Sequence, residues 1–157
     1  MKKKVDSNIL AQNKKAFHDY NVLEKFEAGI VLFGDEVKAL RLGSGNLKGA
    51  FVDVENEEAF LNGMHVSKYK KSSRKELEPV RKRKLLLHKK EILKILGNLN
   101  EKGTTAIPLS VYLKNGLIKI TVGICRGKKL YDKRATIKKR EQKLEISREL
   151  KKFKNSL

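Results

Sequence analysis

Tryptophan is absent from this chain of 157 residues, cysteine occurs once and proline twice. The lone Cys125 excludes an intrachain disulfide and a thiolate cluster for zinc. It lies in a strand-like apolar run and reads as a reduced structural thiol. Aromatic residues make up only 6%, which argues against a pure base-stacking platform for single strands. No apolar run approaches the roughly 20 residues of a membrane helix. Met1-Lys2-Lys3-Lys4 begins like a signal peptide, but no apolar segment follows it. The expectation is a cytoplasmic protein without a membrane partner. The histidines, His18, His65 and His88, fall in no metal-ligand spacing. There is no Walker loop, no GxSxG elbow and no GxGxxG. His18-Asp19 and Asp35-Glu36 could suggest a nuclease. Asp35-Glu36 is better read as a helix start, and Glu55 to Glu58 as a solvated turn. No catalysis, metal or cofactor is expected.

What the chain has in abundance is positive charge, +19 in all. Residues 68–90 carry 11 Lys/Arg against 2 Glu, and residues 126–157 carry 13 Lys/Arg against 4 acids, so each block holds +9. The remainder is close to neutral. Like charges concentrated in this way repel one another and destabilise a compact state unless a partner neutralises them. Two cationic surfaces flanking a neutral body point to polyanions, with nucleic acid first among them.

Periodicity organises the body. Residues 1–12 are polar and are expected to be flexible. Residues 20–33 read as a strand, with Gly29 marking a bend or a close backbone approach. Gly34-Asp35-Glu36 opens a short helix that Asp35 can cap and Gly43 ends. Residues 51–54 and 59–61 are strands around the acidic turn, and residues 64–69 continue as strand. Residues 70–83, with Ser72, Ser73 and Pro79, read as a long cationic loop. Residues 88–101 form a helix whose buried stripe is Ile92, Leu93, Ile95, Leu96 and Leu99. Ile107, Leu109, Val111 and Leu113 alternate on one strand, and Ile118, Ile120, Val122 and Ile124 on the next. Asn115-Gly116 between them is the preferred pair for a type I′ hairpin turn. The tail from residue 126 carries a thin stripe of Ile137, Leu144, Ile146, Leu150 and Phe153, too weak to hold an isolated helix. Disorder in solution and helix on a partner are expected there. Half a dozen short strands and one strong helix suggest a mainly β fold: a small closed barrel of the oligonucleotide-binding type, with packed helices and a basic C-terminal tail.

Six segments, taken together, carry a resemblance. They are Asn13-Lys14-Lys15-Ala16-Phe17-His18-Asp19-Tyr20, Phe26-Glu27-Ala28-Gly29-Ile30-Val31-Leu32, Glu36-Val37-Lys38-Ala39-Leu40-Arg41, Arg83-Lys84-Leu85-Leu86-Leu87-His88, Leu113-Lys114-Asn115-Gly116 and Arg126-Gly127-Lys128-Lys129-Leu130-Tyr131-Asp132-Lys133-Arg134. In this order they resemble the SsrA-binding protein family, small protein B, the protein partner of transfer-messenger RNA. The resemblance implies a flexible N-terminus over residues 1–12, an RNA-binding barrel over 13–125 and a ribosome-binding tail over 126–157. It implies an adaptor of trans-translation rather than an enzyme. Its barrel would bind the transfer-RNA-like domain of transfer-messenger RNA and help bring it, with elongation factor Tu, to stalled ribosomes. Its tail would occupy the vacant decoding site and message channel.

Carried over by position, the implied RNA-binding residues are Asn13, Lys15, His18, Glu27, Lys84 and Leu86. Glu27 is the informative one, because an acid on an RNA face opposes bulk attraction and so implies a specific hydrogen bond. Its plainer reading is an acid paired with Lys25 or Arg41. Leu86 is equally readable as core. The implied ribosome-binding residues are Gly127, Lys128, Lys129, Tyr131, Asp132, Lys133 and Arg134. Gly127 would let the chain leave the barrel sharply. Tyr131 stands where many members have His, and Lys68 where the family often has Pro. From composition alone, a structural ribosomal protein or a general RNA-binding barrel protein remains the alternative.

Overall fold

A computed structural model of the chain describes residues 8–71 and 77–155, with backbone alone for Leu130, Tyr131, Asp132 and Asn155. Met1 to Lys4 and the loop residues Ser72 and Ser73 lie outside the described residues. The elements run β1 (Ile9–Gln12), α1 (Lys14–Asp19), β2 (Tyr20–Ile30), α2 (Gly34–Arg41), β3 (Gly45–Asn46), β4 (Phe51–Glu55), β5 (Glu58–Asn62), β6 (His65–Val66), β7 (Arg83–Leu86), α3 (Lys89–Leu99), β8 (Thr104–Lys114), β9 (Leu117–Gly127) and α4 (Leu130–Asn155).

Six antiparallel strands follow one another as β8-β4-β5-β7-β2-β9, and β9 pairs back onto β8, so the barrel closes. Long β8 makes closure possible. Its start pairs with β4 at Ala106, and its far half carries β1 at Ser110 to Tyr112. The N-terminal segment expected to be flexible therefore contributes a strand from Ile9 onward. The core is apolar and complete: Leu40, Leu61, Met64, Leu85, Ile95, Val111, Ile120, Val122 and Ile124 are all buried.

Local chemistry explains the elements. Asn115 and Gly116 both take positive φ (51° and 76°), as a type I′ turn requires. Asn56 and Glu57 do the same between β4 and β5, without glycine. The first strand of the β8–β9 hairpin departs from simple alternation. A bulge between Pro108 and Ser110 breaks the register. Val111 therefore faces the main core, whereas Ile107 and Leu109 join Ala16 and Cys125 in a second small core under α1. Burial pushes the Cys125 thiol up to about 11, as befits an inert core thiol.

α2 is capped at Phe33 rather than at Asp35. The Glu36 carboxylate accepts the Phe33 N–H at 2.9 Å. In α3, Ile92 and Ile95 are buried, but Leu93 and Leu96 are exposed, so the inward stripe is narrower than the spacing suggested. The strand expected over residues 64–69 is only His65–Val66, paired with β3.

The tail is one continuous helix of 26 residues. Strong helix formers fill it, and its first turn is docked on α1. The stripe residues Ile137, Leu144, Ile146, Leu150 and Phe153 are all exposed. At 3.6 residues per turn, Ile137 and Leu144 lie on one side, and Ile146, Leu150 and Phe153 lie about 180° away. They form two opposed half-stripes instead of one, so neither can seat the helix on a core.

Candidate nucleic-acid interface

Among the described residues of the first cationic block, Arg81, Lys82, Arg83, Lys84 and Lys89 pair with acids of this chain. Glu36 is 2% exposed and Arg83 0%, so this pair sits inside the body where a mobile cationic loop was expected. Arg83 Nε donates to Glu36 at 2.7 Å, and Arg83 also donates to the carbonyls of Met64 and Pro79. Arg81 binds the same carboxylate at 2.5 Å and lies over the Phe33 ring. Burial raises the Glu36 pKa, but the bonds from Arg81, the Phe33 amide and Arg83 outweigh it and hold the carboxyl below its ordinary range. The acidic turn is likewise more than solvated. Glu55 pairs with Lys82 at 2.5 Å, Glu58 with Lys84 at 3.1 Å and Glu57 with Lys89 at 3.8 Å.

The six barrel residues singled out above fall into two groups. Asn13, Lys15 and His18 belong to α1 and its cap, while Glu27, Lys84 and Leu86 lie on the sheet of β2 and β7. Tyr20 opens β2 opposite Gly127 and Glu27 lies opposite Thr121. At about 3.3 Å per residue, the two groups are roughly 23 Å apart along β2.

In the first group, Asn13 is buried and fully used. Its Oδ1 accepts the Ala16 N–H at 3.2 Å, and its Nδ2 donates to Pro108 O at 3.1 Å and Leu47 O at 3.4 Å. Asn13 therefore caps α1 and ties it to the barrel. Lys15 is exposed beside it, on the rim of a groove of about 390 Å³. His18 Nδ1 lies 2.7 Å from Asp19 Oδ1. That hydrogen bond is the main reason the Asp19 pKa is lowered, and Lys133 adds to it from 3.7 Å.

In the second group, Glu27 accepts from the Tyr112 hydroxyl at 2.5 Å and from Lys114 Nζ at 3.1 Å. Its partners are thus two β8 side chains, and not Lys25 or Arg41. These bonds lower the Glu27 pKa. Burial, and then the bond to Glu27, push the Tyr112 phenol up to about 12. Tyr112 went unremarked in the sequence, and only the β2–β9–β8 register brings it to Glu27. Leu86 is 54% exposed and its neighbour Leu85 1%, so β7 alternation turns Leu86 outward. A Cβ on Gly29 would sit 3.2 Å from Leu86 Cβ, so the missing side chain is what lets the leucine lie there. Glu27, Lys84 and Leu86 share one groove of about 570 Å³. It offers acceptor, cation and apolar surface side by side.

The tail residues start from the α1 end of the barrel. Gly127 ends β9 paired with Tyr20. It lacks positive φ, and a Cβ there would meet nothing within 4 Å. The chain leaves the barrel without needing glycine's freedom. Lys128 donates its N–H to Asp19 O at 2.8 Å and its Nζ to Phe17 O at 3.2 Å and Thr136 Oγ1 at 2.8 Å. Lys133 reaches Asp19, as above. Lys129 and Arg134 are exposed. Tyr131 and Asp132 lie in the first turn of α4, and their side chains lie outside the description. No helix among the described residues is long and apolar enough to cross a membrane.

Comparison with known proteins agrees with this architecture. The family model for SmpB protein matches residues 10–152. The SsrA-binding protein of Persephonella marina is 52% identical over 143 residues, covering 91% of this chain and 94% of its own. That of Clostridium perfringens is 50% identical over 151 residues, covering 96% and 97%. A solved chain described as "tmRNA-SmpB: a journey to the center of the bacterial ribosome" superposes with a TM-score of 0.67 at 43% identity, covering 79% of this chain and 87% of that one. On barrel, order of segments and shared length alike, the chain belongs to the SsrA-binding protein family.

Proposed function

We propose that this protein is a cytoplasmic RNA-binding adaptor of trans-translation, without catalytic activity of its own. The barrel binds the transfer-RNA-like domain of transfer-messenger RNA, and the tail engages the ribosome at the vacant decoding site and message channel. Elongation factor Tu joins through the RNA complex. The observation that carries the reading is the sheet groove, where Glu27, Lys84 and Leu86 stand exposed together.

The two groups of barrel residues read shape rather than base sequence. Contacts roughly 23 Å apart on a rigid barrel select a folded RNA that can reach both, such as the elbow of a transfer-RNA-like domain. Glu27 accepts from a 2′-hydroxyl or an exocyclic amine, exchanging its internal donors for that contact. Lys84 meets phosphate, and Leu86 packs on a ribose or base. Asn13 acts through α1, which it caps, and so sets where Lys15 and His18 stand. In the tail, Lys128, Lys129, Lys133 and Arg134 pair with ribosomal RNA phosphates.

Truncation before Arg126 tests the division of labour. RNA affinity of the barrel is expected to stay largely intact while tagging of nascent chains is abolished. Equal loss of both would contradict it.

A further inference from the structure

The outward row of β2 does not end with the strand. Gly29 pairs with Leu86 and Ile30 with Leu85. The Val31 N–H then donates to Lys84 O at 2.9 Å, so the pairing runs on for one more residue. Alternation puts Glu27, Gly29 and Val31 on the outer face, and Val31 is exposed beside Lys84. Phe33 still has extended backbone (φ −77°, ψ 155°) and is exposed as well. At about 3.3 Å per residue it stands no more than about 13 Å from Gly29, on the Lys84 side of the groove.

There Arg81 lies over the Phe33 ring, 4.5 Å from its centroid. Its Nε donates to Glu36 at 3.1 Å, its Nη2 to Val31 O at 3.2 Å and its Nη1 to Lys82 O at 3.4 Å. With all three nitrogens tied, the planar guanidinium is held on the ring. Arg81 and Arg83 share the one Glu36 carboxylate, so two cations against one anion leave +1. Val31, whose carbonyl Arg81 holds, and Val80, its chain neighbour, are both exposed. The fold does not account for the ring. Phe33 stands at the cap of α2, where a small polar side chain with an acceptor is preferred. A local rule broken by an exposed aromatic marks a position kept for contact.

We propose that Arg81 and Phe33 form a stacking platform for an unpaired base of the RNA whose backbone passes Lys84. The inference rests on the reading of the sheet groove as an RNA interface and adds a subsite at its edge. Unpaired bases of folded RNA stack on aromatic rings and on guanidinium planes. Such stacking tolerates any base, because each has a π face. Val31 and Val80 give apolar contact to the ribose, and the net positive charge suits the adjoining phosphate.

Two full-length variants test this. Phe33→Ser removes the ring and completes a capping box with Glu36, so its thermal unfolding is expected at or above that of the wild type. Its binding to full-length transfer-messenger RNA is measured across a salt series. Affinity is expected to fall about fivefold or more, with the slope of log K against log salt unchanged, because no charge is lost. Phe33→Trp gives this tryptophan-free chain a single indole. Its emission is expected to be quenched when the RNA binds, whereas that of Leu42→Trp, exposed at the far end of α2, is expected to stay nearly constant. Normal affinity of the Phe33→Ser protein, or equal quenching of the two indoles, would overturn the platform and leave the groove reading standing. A wild-type protein that does not prefer this RNA over random RNA of equal length would overturn the groove reading and the platform with it.

Discussion

Arg83 Nη2 lies 2.6 Å from Glu36 Oε2, with neither side chain more than 2% exposed. The pair pins the start of β7 to α2, 47 residues earlier in the chain. It thereby fixes the strand on which Lys84 and Leu86 stand. Removing one partner of a buried pair leaves the other charge unpaired, at a cost of about 3–5 kcal/mol. Glu36→Gln is therefore expected to lower the melting temperature by roughly 6–20 °C, measured by thermal unfolding. A change within about 2 °C would show that the pair does not hold the fold.

The same carboxylate sets an acid limit. Its pKa is depressed in the folded protein, so the unfolded chain binds the proton more readily. The stability it confers is fully present above the unfolded value of about 4.3. That stability is lost as pH falls through the lower folded value. Denaturant midpoints of the wild type are expected to drop on acidification below about pH 4.5. Glu36→Gln should start lower and change less over that window. Parallel curves would place the acid sensitivity elsewhere.

Leu85 and Leu86 offer a control within one strand. Leu85→Ala opens a hole in the core and is expected to cost about 2–5 kcal/mol of stability. Leu86→Ala removes an exposed side chain and should leave unfolding within about 1 kcal/mol of wild type. It should nonetheless weaken binding to transfer-messenger RNA several-fold. A Leu86 variant that binds normally would remove this residue from the interface.

Glu27 is expected to matter for discrimination. Glu27→Ala should weaken the cognate RNA by about tenfold or more and random RNA of equal length much less. Tyr112→Phe should act in the opposite direction and more mildly, because it removes an internal donor with which the RNA competes for the carboxylate. Equal weakening of both RNAs by Glu27→Ala would mean the acid is no specific contact.

What the sequence revealed followed from the range of each interaction. Asn115-Gly116 announces its turn because the required φ values are local to two residues. The strands around it were legible for the same reason, as was the close approach at Gly29. Glu36 was half legible: its place at the start of α2 is local, while its partners Arg81 and Arg83 are brought by the barrel from 45 and 47 residues away. The cationic block at residues 68–90 therefore looked freer than it is. The bulge at Leu109 was hidden because a two-residue alternation reads the same with or without one inserted residue. Of the site, Glu27, Lys84 and Leu86 line one groove, a juxtaposition that strand pairing makes and that no local pattern announces. Tyr112 was invisible because it stands 85 residues from Glu27 in the chain, and only closure of the sheet through β9 brings the two together.

The central claim is that the sheet groove and α1 together hold a transfer-RNA-shaped RNA. Full-length protein is purified at near-physiological salt, and the RNA that travels with it is sequenced. Transfer-messenger RNA should be enriched far above its share of total RNA, and the Glu27→Ala protein should lose most of that enrichment. Recovery of no transfer-RNA-shaped species above background would contradict the account.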